Sequence, residues 1–118
     1  MDKITLDILE NALRNAREEM DTVLFRSAMS PVIREQHDGF PMICHPDGRM
    51  VVGQFGSYIN GFLQNWKRGI NEGDVFLVSD PYSCGGAISH LNDWMVLLPI
   101  FYEGELVGWG SQFGHTVD

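Results

Sequence analysis

The chain has 118 residues, a formal net charge of −8 and a pI of about 4.7. Hydrophobic residues make up 44% and charged residues 20%, which excludes collagen-like, coiled-coil and fully disordered chains. The length suits one small domain with a sizeable core. The acidic balance argues against nucleic acid and anionic membranes as partners, because both are bound through clustered lysine and arginine.

Three features predict a cytoplasmic protein. The two cysteines, Cys44 and Cys84, are too few for a disulfide framework, although a single bridge between them remains possible. No apolar run approaches the roughly 18 residues of a membrane span. The N-terminal residues MDKITLDILE lack the basic stretch and apolar core of a signal peptide.

The first element is predicted to be a long amphipathic helix with Thr5 as its N-cap. Apolar residues recur every three or four positions and form one stripe suited to packing against a core. The stripe consists of Leu6, Leu9, Leu13, Ala16, Met20 and Val23. We expect the helix to end before Pro31, because proline disfavours helical geometry in the residue before it.

Extended segments follow this helix. Pro46-Asp47-Gly48 lies between the apolar runs FPMICH and RMVVGQ and predicts the turn of a β-hairpin. Residues 55–70 have helical spacing of apolar side chains, interrupted by Gly56 and Gly61. The run VFLVS at 75–79 predicts a short strand buried on both faces.

A second hairpin is predicted near the C-terminus, where WMVLLPIFY and ELVGWGSQF flank a turn at Glu103-Gly104. The pattern as a whole predicts an α+β fold over residues 1–118. In this fold one long N-terminal helix packs on mostly antiparallel strands and hairpins.

The second hairpin brings potential metal ligands together at its open end. His90 and Asp93 precede its first strand and His115 follows its second. Counting from the turn, His115 faces position 92, and cross-strand neighbours have Cβ atoms roughly 5 Å apart. Two imidazoles and a carboxylate suit zinc or another transition metal. The alternative is that His90 caps a loop and His115 is simply exposed.

A fourth ligand is expected just before the first hairpin. Asp38, in the segment QHDGF, could fold back toward the site, and His37 is the competing choice. Asp80 is interpreted as an Asp-Pro turn and Cys84 as a structural thiol. No catalytic residue is assigned.

Four segments together resemble the start of the hydantoinase B/oxoprolinase family. They are ITLDILENALRNAREEM, REQHDGFPMICHPDGRMV, GDVFLVSDPYSCGGAISHLNDW and GELVGWGSQFGHTVD. The ordered combination of DPY, GG, HxxD and a later GH is specific, whereas each alone is not. The resemblance implies that a divalent metal (Zn, Mn or Fe) is held by Asp38, His90, Asp93 and His115.

The resemblance also implies a function. The chain would be the metal-binding subunit of an ATP-dependent complex that hydrolyses a cyclic amide or carboxylates a ketone. ATP would be used by a hydantoinase A-type partner, since the sequence has neither a P-loop nor a GxGxxG motif. The substrate would be a small carbonyl compound.

Departures from the family pattern refine these expectations. Many hydrolytic members have GGTHLPD, whereas this chain has CGGAISHLND, and the ending SHLNDW slightly favours the carboxylase branch. Family members are several times longer, so the chain is expected to be a fragment, N-terminal in the family domain and inactive in isolation. The alternative function is a non-catalytic, metal-stabilised or subunit-interface module.

Overall fold

A computed structural model of the protein describes residues 1–54 and 59–117. The described residues form three helices and a five-stranded antiparallel sheet with strand order β2-β1-β5-β4-β3. The helices are α1 (Lys3–Ser27), α2 (Pro31–Arg34) and α3 (Asn60–Asn65). The strands are β1 (Gly39–Cys44), β2 (Met50–Val52), β3 (Phe76–Val78), β4 (Asp93–Tyr102) and β5 (Glu105–His115). The predicted α+β class, with a long N-terminal helix and antiparallel hairpins, is confirmed.

Helix α1 ends before Pro31, as predicted, but the predicted N-cap is wrong. The helix begins at Lys3, and the Asp2 side chain accepts a hydrogen bond from the Thr5 backbone N–H at 2.8 Å. Asp2 therefore takes the capping role, because its carboxylate lies three residues before that orphan N–H. The apolar stripe is only partly covered, and Leu6 remains 54% exposed.

One face of the sheet carries the core. Trp109 is fully buried there, and its indole N–H donates to the Pro46 carbonyl at 3.1 Å. Phe62 of α3 packs on this face, within 6.4 Å of the Trp109 ring centre and 5.0 Å of the Phe76 ring centre. The other buried core residues are Met42, Cys44, Ile59, Val78, Cys84, Ile88, Met95 and Leu97.

Helices α1 and α2 lie against the opposite face, near β1 and β5. Glycines make room for them, since a Cβ on Gly39 would lie 3.4 Å from Leu24 and one on Gly114 would lie 2.7 Å from Ile33. The sheet end that holds the candidate ligands is thus closed by the helices on this side.

One strand prediction needs correction, and one helix is shorter than its pattern. The 75–79 strand is not buried on both faces, because β3 is an edge strand whose Leu77 is 63% exposed. Among the described residues of the 55–70 segment, the helix is limited to α3, which ends where Trp66 becomes extended. The part of that prediction on residues 55–58 lies outside the described residues.

Both predicted hairpin turns are confirmed. The turn between β1 and β2 spans the Pro46-Asp47-Gly48 segment, and that between β4 and β5 is Glu103-Gly104, with φ of 49° and 81°. Positive φ at both central positions is typical of a type I′ turn, whose twist matches that of the strands.

The predicted register of the second hairpin is wrong by one residue. Tyr102 pairs with Glu105 as expected, but the register shifts between Ile100 and Phe101, and Ile100 pairs with Gly108. Val107 is the extra residue of this bulge. The shift pairs His115 with Asp93 instead of position 92, so both side chains lie on the same face of the sheet.

Candidate metal centre

Three neighbouring strands bring candidate ligands to the same end of the sheet. β4 begins at Asp93 and β5 ends at its partner His115. The His115 backbone N–H donates to the Asp38 carbonyl at 2.9 Å, just before β1 begins at Gly39. The backbones of Asp38, His115 and Asp93 therefore form one row across β1, β5 and β4.

Asp93 is the buried centre of this site, with only 4% of its surface exposed. One carboxylate oxygen is 2.6 Å from His115 Nδ1. The other accepts the backbone N–H groups of His90 at 3.1 Å and Ser89 at 3.4 Å. Burial alone would raise the pKa of Asp93, but these hydrogen bonds outweigh it and hold the pKa below its ordinary value of 3.8.

Two histidines complete the cluster. The His90 and His115 ring centres are 5.4 Å apart with the rings nearly perpendicular, and His90 Nδ1 is 3.6 Å from Asp93 Oδ2. One ligand atom from each of the three residues lies within 4.8 Å of the others. His115 is 24% exposed and His90 67%, so the cluster is buried on the Asp93 side and open to solvent on the His90 side.

The donor set fits a divalent transition metal. Metal–ligand bonds of about 2.0–2.2 Å separate tetrahedral ligands by roughly 3.3–3.6 Å. The 2.6 Å contact between His115 and Asp93 is shorter, because a proton lies between the two atoms. Metal binding would displace that proton and widen the contact by less than about 1 Å. Small side-chain rotations are sufficient for this change.

Asp38 is exposed, and its carboxylate is not part of the three-residue cluster, although its backbone adjoins His115. His37, the competing fourth ligand, stacks its ring on Phe25 with centres 4.1 Å apart and is likewise outside the cluster. The sequence thus predicted three residues that the fold brings together and a fourth whose main chain alone reaches the site.

The two remaining candidates from the sequence have structural surroundings. The Asp80 carboxylate accepts the backbone N–H groups of Tyr82 and Ser83, which is the geometry of an Asx turn. Cys84 is buried, and its thiol donates to the Asp80 carbonyl at 3.4 Å. Cys44 and Cys84 are both free thiols.

Sequence reasoning assigned no role to Asn92. Its side-chain amide nitrogen lies 3.2 Å from His115 Nε2 and donates to the Thr116 carbonyl at 3.0 Å. In the neutral tautomer whose Nδ1–H donates to the Asp93 carboxylate, Nε2 of His115 accepts from this amide. The only available signal was the position of Asn92 between two candidate ligands, which is too common to be informative by itself.

Fold and site together define an α+β domain with a candidate metal centre at one end of an antiparallel sheet. Residues 2–118 match the sequence model of the hydantoinase B/oxoprolinase family. The chain therefore belongs to the hydantoinase B/oxoprolinase family. Within the described residues, no helix is both long and apolar enough to cross a bilayer.

Named relatives share this domain. The β subunit of caprolactamase from Pseudomonas jessenii is 34% identical over the whole chain, which covers 21% of that subunit. The δ subunit of acetophenone carboxylase from Aromatoleum aromaticum is 31% identical over 69% of the chain, and the match covers 13% of the subunit. The crystal structure of the ATP-dependent caprolactamase from P. jessenii superposes with a TM-score of 0.81 at 28% identity, over 100% of this chain and 21% of that one. The chain thus spans about a fifth or less of these relatives.

Proposed function

We propose that the chain is the metal-binding, N-terminal part of a subunit of an ATP-dependent complex that acts on a small carbonyl substrate. The observation that carries this proposal is the convergence of His90, Asp93 and His115 within 4.8 Å, in a member of this family. The position of Asp93 and His115 on paired strands supports it, because strands hold ligands more rigidly than loops do.

The proposed ligand set is Asp38, His90, Asp93 and His115. The Asp38 main chain is already hydrogen-bonded to His115 and its side chain is exposed, which supports its place in the set. A Zn, Mn or Fe ion in this set would act as a Lewis acid toward a carbonyl oxygen or would lower the pKa of a bound water. His90 and His115 must be neutral to ligate, so binding should weaken as the pH falls.

Exposure of the cluster favours an open site over a closed structural one. His90 is 67% exposed, and this leaves a solvent-facing side on which a substrate oxygen or water can approach. A closed site would support the alternative function, a non-catalytic module stabilised by metal or used at a subunit interface.

The proposed partner is a hydantoinase A-type subunit that uses ATP, and the proposed location of the complex is the cytoplasm. Relatives named as β and δ subunits support a multisubunit assembly. The ATP dependence of the structurally similar caprolactamase supports a role for ATP.

Two reaction types are candidates. The segment SHLNDW from Ser89 to Trp94 favours ketone carboxylation, the reaction we slightly prefer. The match to the caprolactamase subunit, which extends over the whole of this chain, favours cyclic amide hydrolysis. ATP hydrolysis by the assembled complex separates them. Stimulation by a ketone with bicarbonate supports carboxylation, and stimulation by a lactam or hydantoin alone supports hydrolysis.

Elemental analysis tests the metal site directly. The parent protein should contain a stoichiometric divalent metal, and the double variant Asp93→Ala/His115→Ala should contain none. A matched control is Asp47→Ala/His45→Ala, which removes another histidine–carboxylate contact, 2.9 Å long but exposed and outside the cluster. The control should retain the metal. A folded parent without metal after reconstitution with Zn, Mn and Fe would contradict the proposal.

A further inference from the structure

The residue before Asp38 has an unusual backbone conformation. Among the described residues, His37 and Glu103 are the non-glycine residues with positive φ. Glu103 lies in a type I′ turn that requires this conformation, whereas His37, with φ of 57°, follows helix α2. His37 thus lies two residues beyond Glu35, the C-cap of α2, in a bend closed by the Asp38 N–H, which donates to the Val32 carbonyl at 3.1 Å.

Glycine is the residue favoured at such a φ, because a Cβ makes left-handed geometry unfavourable. The His37 side chain has a specific contact that offsets this cost. Its ring stacks on Phe25 of α1, with ring centres 4.1 Å apart and planes only 12° from parallel. The stack ties the bend after α2 to the long helix.

This bend leads directly into the candidate metal centre. The carbonyl of Asp38 accepts the His115 N–H, and Gly39 follows so close to β5 that a Cβ there would lie 2.8 Å from the Phe113 carbonyl oxygen. The chain is therefore fixed on both sides of Asp38, by the stack at His37 and by close strand packing at Gly39.

We propose that His37 is a positioning residue, whose stack on Phe25 holds the bend that places Asp38 beside His115. His37 is not a ligand, because its ring packs on α1 and is not part of the metal cluster. The proposal rests on the metal site proposed above for its functional meaning, but the positioning itself is measurable without metal.

The test compares His37→Gly and Phe25→Leu in the full chain. His37→Gly keeps the left-handed bend, relieves its strain and removes the ring, while Phe25→Leu keeps His37 and removes its aromatic partner. The matched control is Glu103→Gly, which relieves the same type of strain in the turn at the far end of the hairpin from His115.

Amide hydrogen exchange of His115 in metal-free protein is the first measurement. Exchange should be at least several-fold faster in both variants than in the parent, because the Asp38 acceptor is less well held. Zn²⁺ affinity measured by calorimetry should fall roughly tenfold, which is typical when a residue that orients a metal ligand, without binding the metal itself, is replaced. The double variant should be no weaker than either single one, since both remove one stack.

Stability measurements separate positioning from a merely structural role. His37→Gly should not lower the thermal midpoint markedly, because the strain it relieves compensates for the lost stack, yet its Zn²⁺ affinity should fall. Unchanged His115 exchange, or faster exchange with unchanged Zn²⁺ affinity, would overturn the proposal. If the parent binds no metal but both variants still exchange the His115 amide faster than the parent does, the positioning role stands and only the metal site is rejected.

Discussion

Replacement of the buried carboxylate at Asp93 by an amide should destabilise the metal-free protein. Asp93→Asn preserves the shape of the side chain, and its carbonyl oxygen can still accept the N–H groups of Ser89 or His90. With that oxygen so engaged, its NH2 nitrogen faces His115 Nδ1 and cannot accept, so the 2.6 Å hydrogen bond to a charged acceptor is lost. Such bonds contribute about 1.5–3 kcal/mol. Because His115 is 24% exposed, we expect the lower part of this range, about 2 kcal/mol.

The effect should depend on pH with a definite sign. The pKa of Asp93 in the folded protein lies below its ordinary value of 3.8, so the charged carboxylate stabilises the fold fully above that value. This stabilisation is lost as the pH falls through the lower, folded pKa. The free energies of unfolding of parent and Asp93→Asn should therefore differ at pH 7 and converge below pH 3.8.

Urea denaturation followed by circular dichroism, with metal removed, measures both quantities. Asp47→Asn is the control, because Asp47 also contacts a histidine and also has a lowered pKa, but is exposed. Its effect at pH 7 should be clearly smaller. Equal stability of Asp93→Asn and the parent at pH 7, or a difference that grows on acidification, would refute the assignment of Asp93 as the charged centre of the cluster.

Two further predictions concern the core. Gly61→Ala should lower the free energy of unfolding by about 2 kcal/mol or more. The added Cβ would overlap the Cys84 carbonyl oxygen, and this backbone atom can move only if the loop around it shifts. An unchanged thermal midpoint would contradict this packing. Burial raises the pKa of the Cys44 thiol to about 11, so iodoacetamide at pH 8 should label Cys44 only in denaturant, as mass spectrometry can determine. Complete labelling in native buffer would show that the β1 side of the core opens readily.

Much of the site could be predicted because it depends on short-range features. Glu103-Gly104 is a dipeptide that favours a two-residue hairpin turn, and this turn alone brings the two ends of a long hairpin together. His90, Asp93 and His115 follow from that turn and from the family pattern. The error of one residue in register arose because a bulge at Val107 depends on the twist and packing of the whole sheet, which no local pattern reveals.

The wrong prediction of burial for β3 also shows that a local sequence pattern does not reveal tertiary surroundings. Its continuous apolar run is the pattern of a strand covered on both faces. Whether another element covers it depends on the position of the strand in the sheet, and β3 lies at the edge with Leu77 exposed. An apolar run shows that a segment favours burial, but it does not show which other elements pack against the strand.

The sequence by itself determined the α+β class, the two hairpin turns and three clustered residues, because turn chemistry and hydrophobic periodicity act over a few residues. Tertiary structure alone decided the pairing of His115 with Asp93, the lowered pKa of that carboxylate and the junction of Asp38 with β5. These features arise from groups that are distant in the chain, and their energies exist only once β1, β5 and β4 have paired and water has left the space around Asp93.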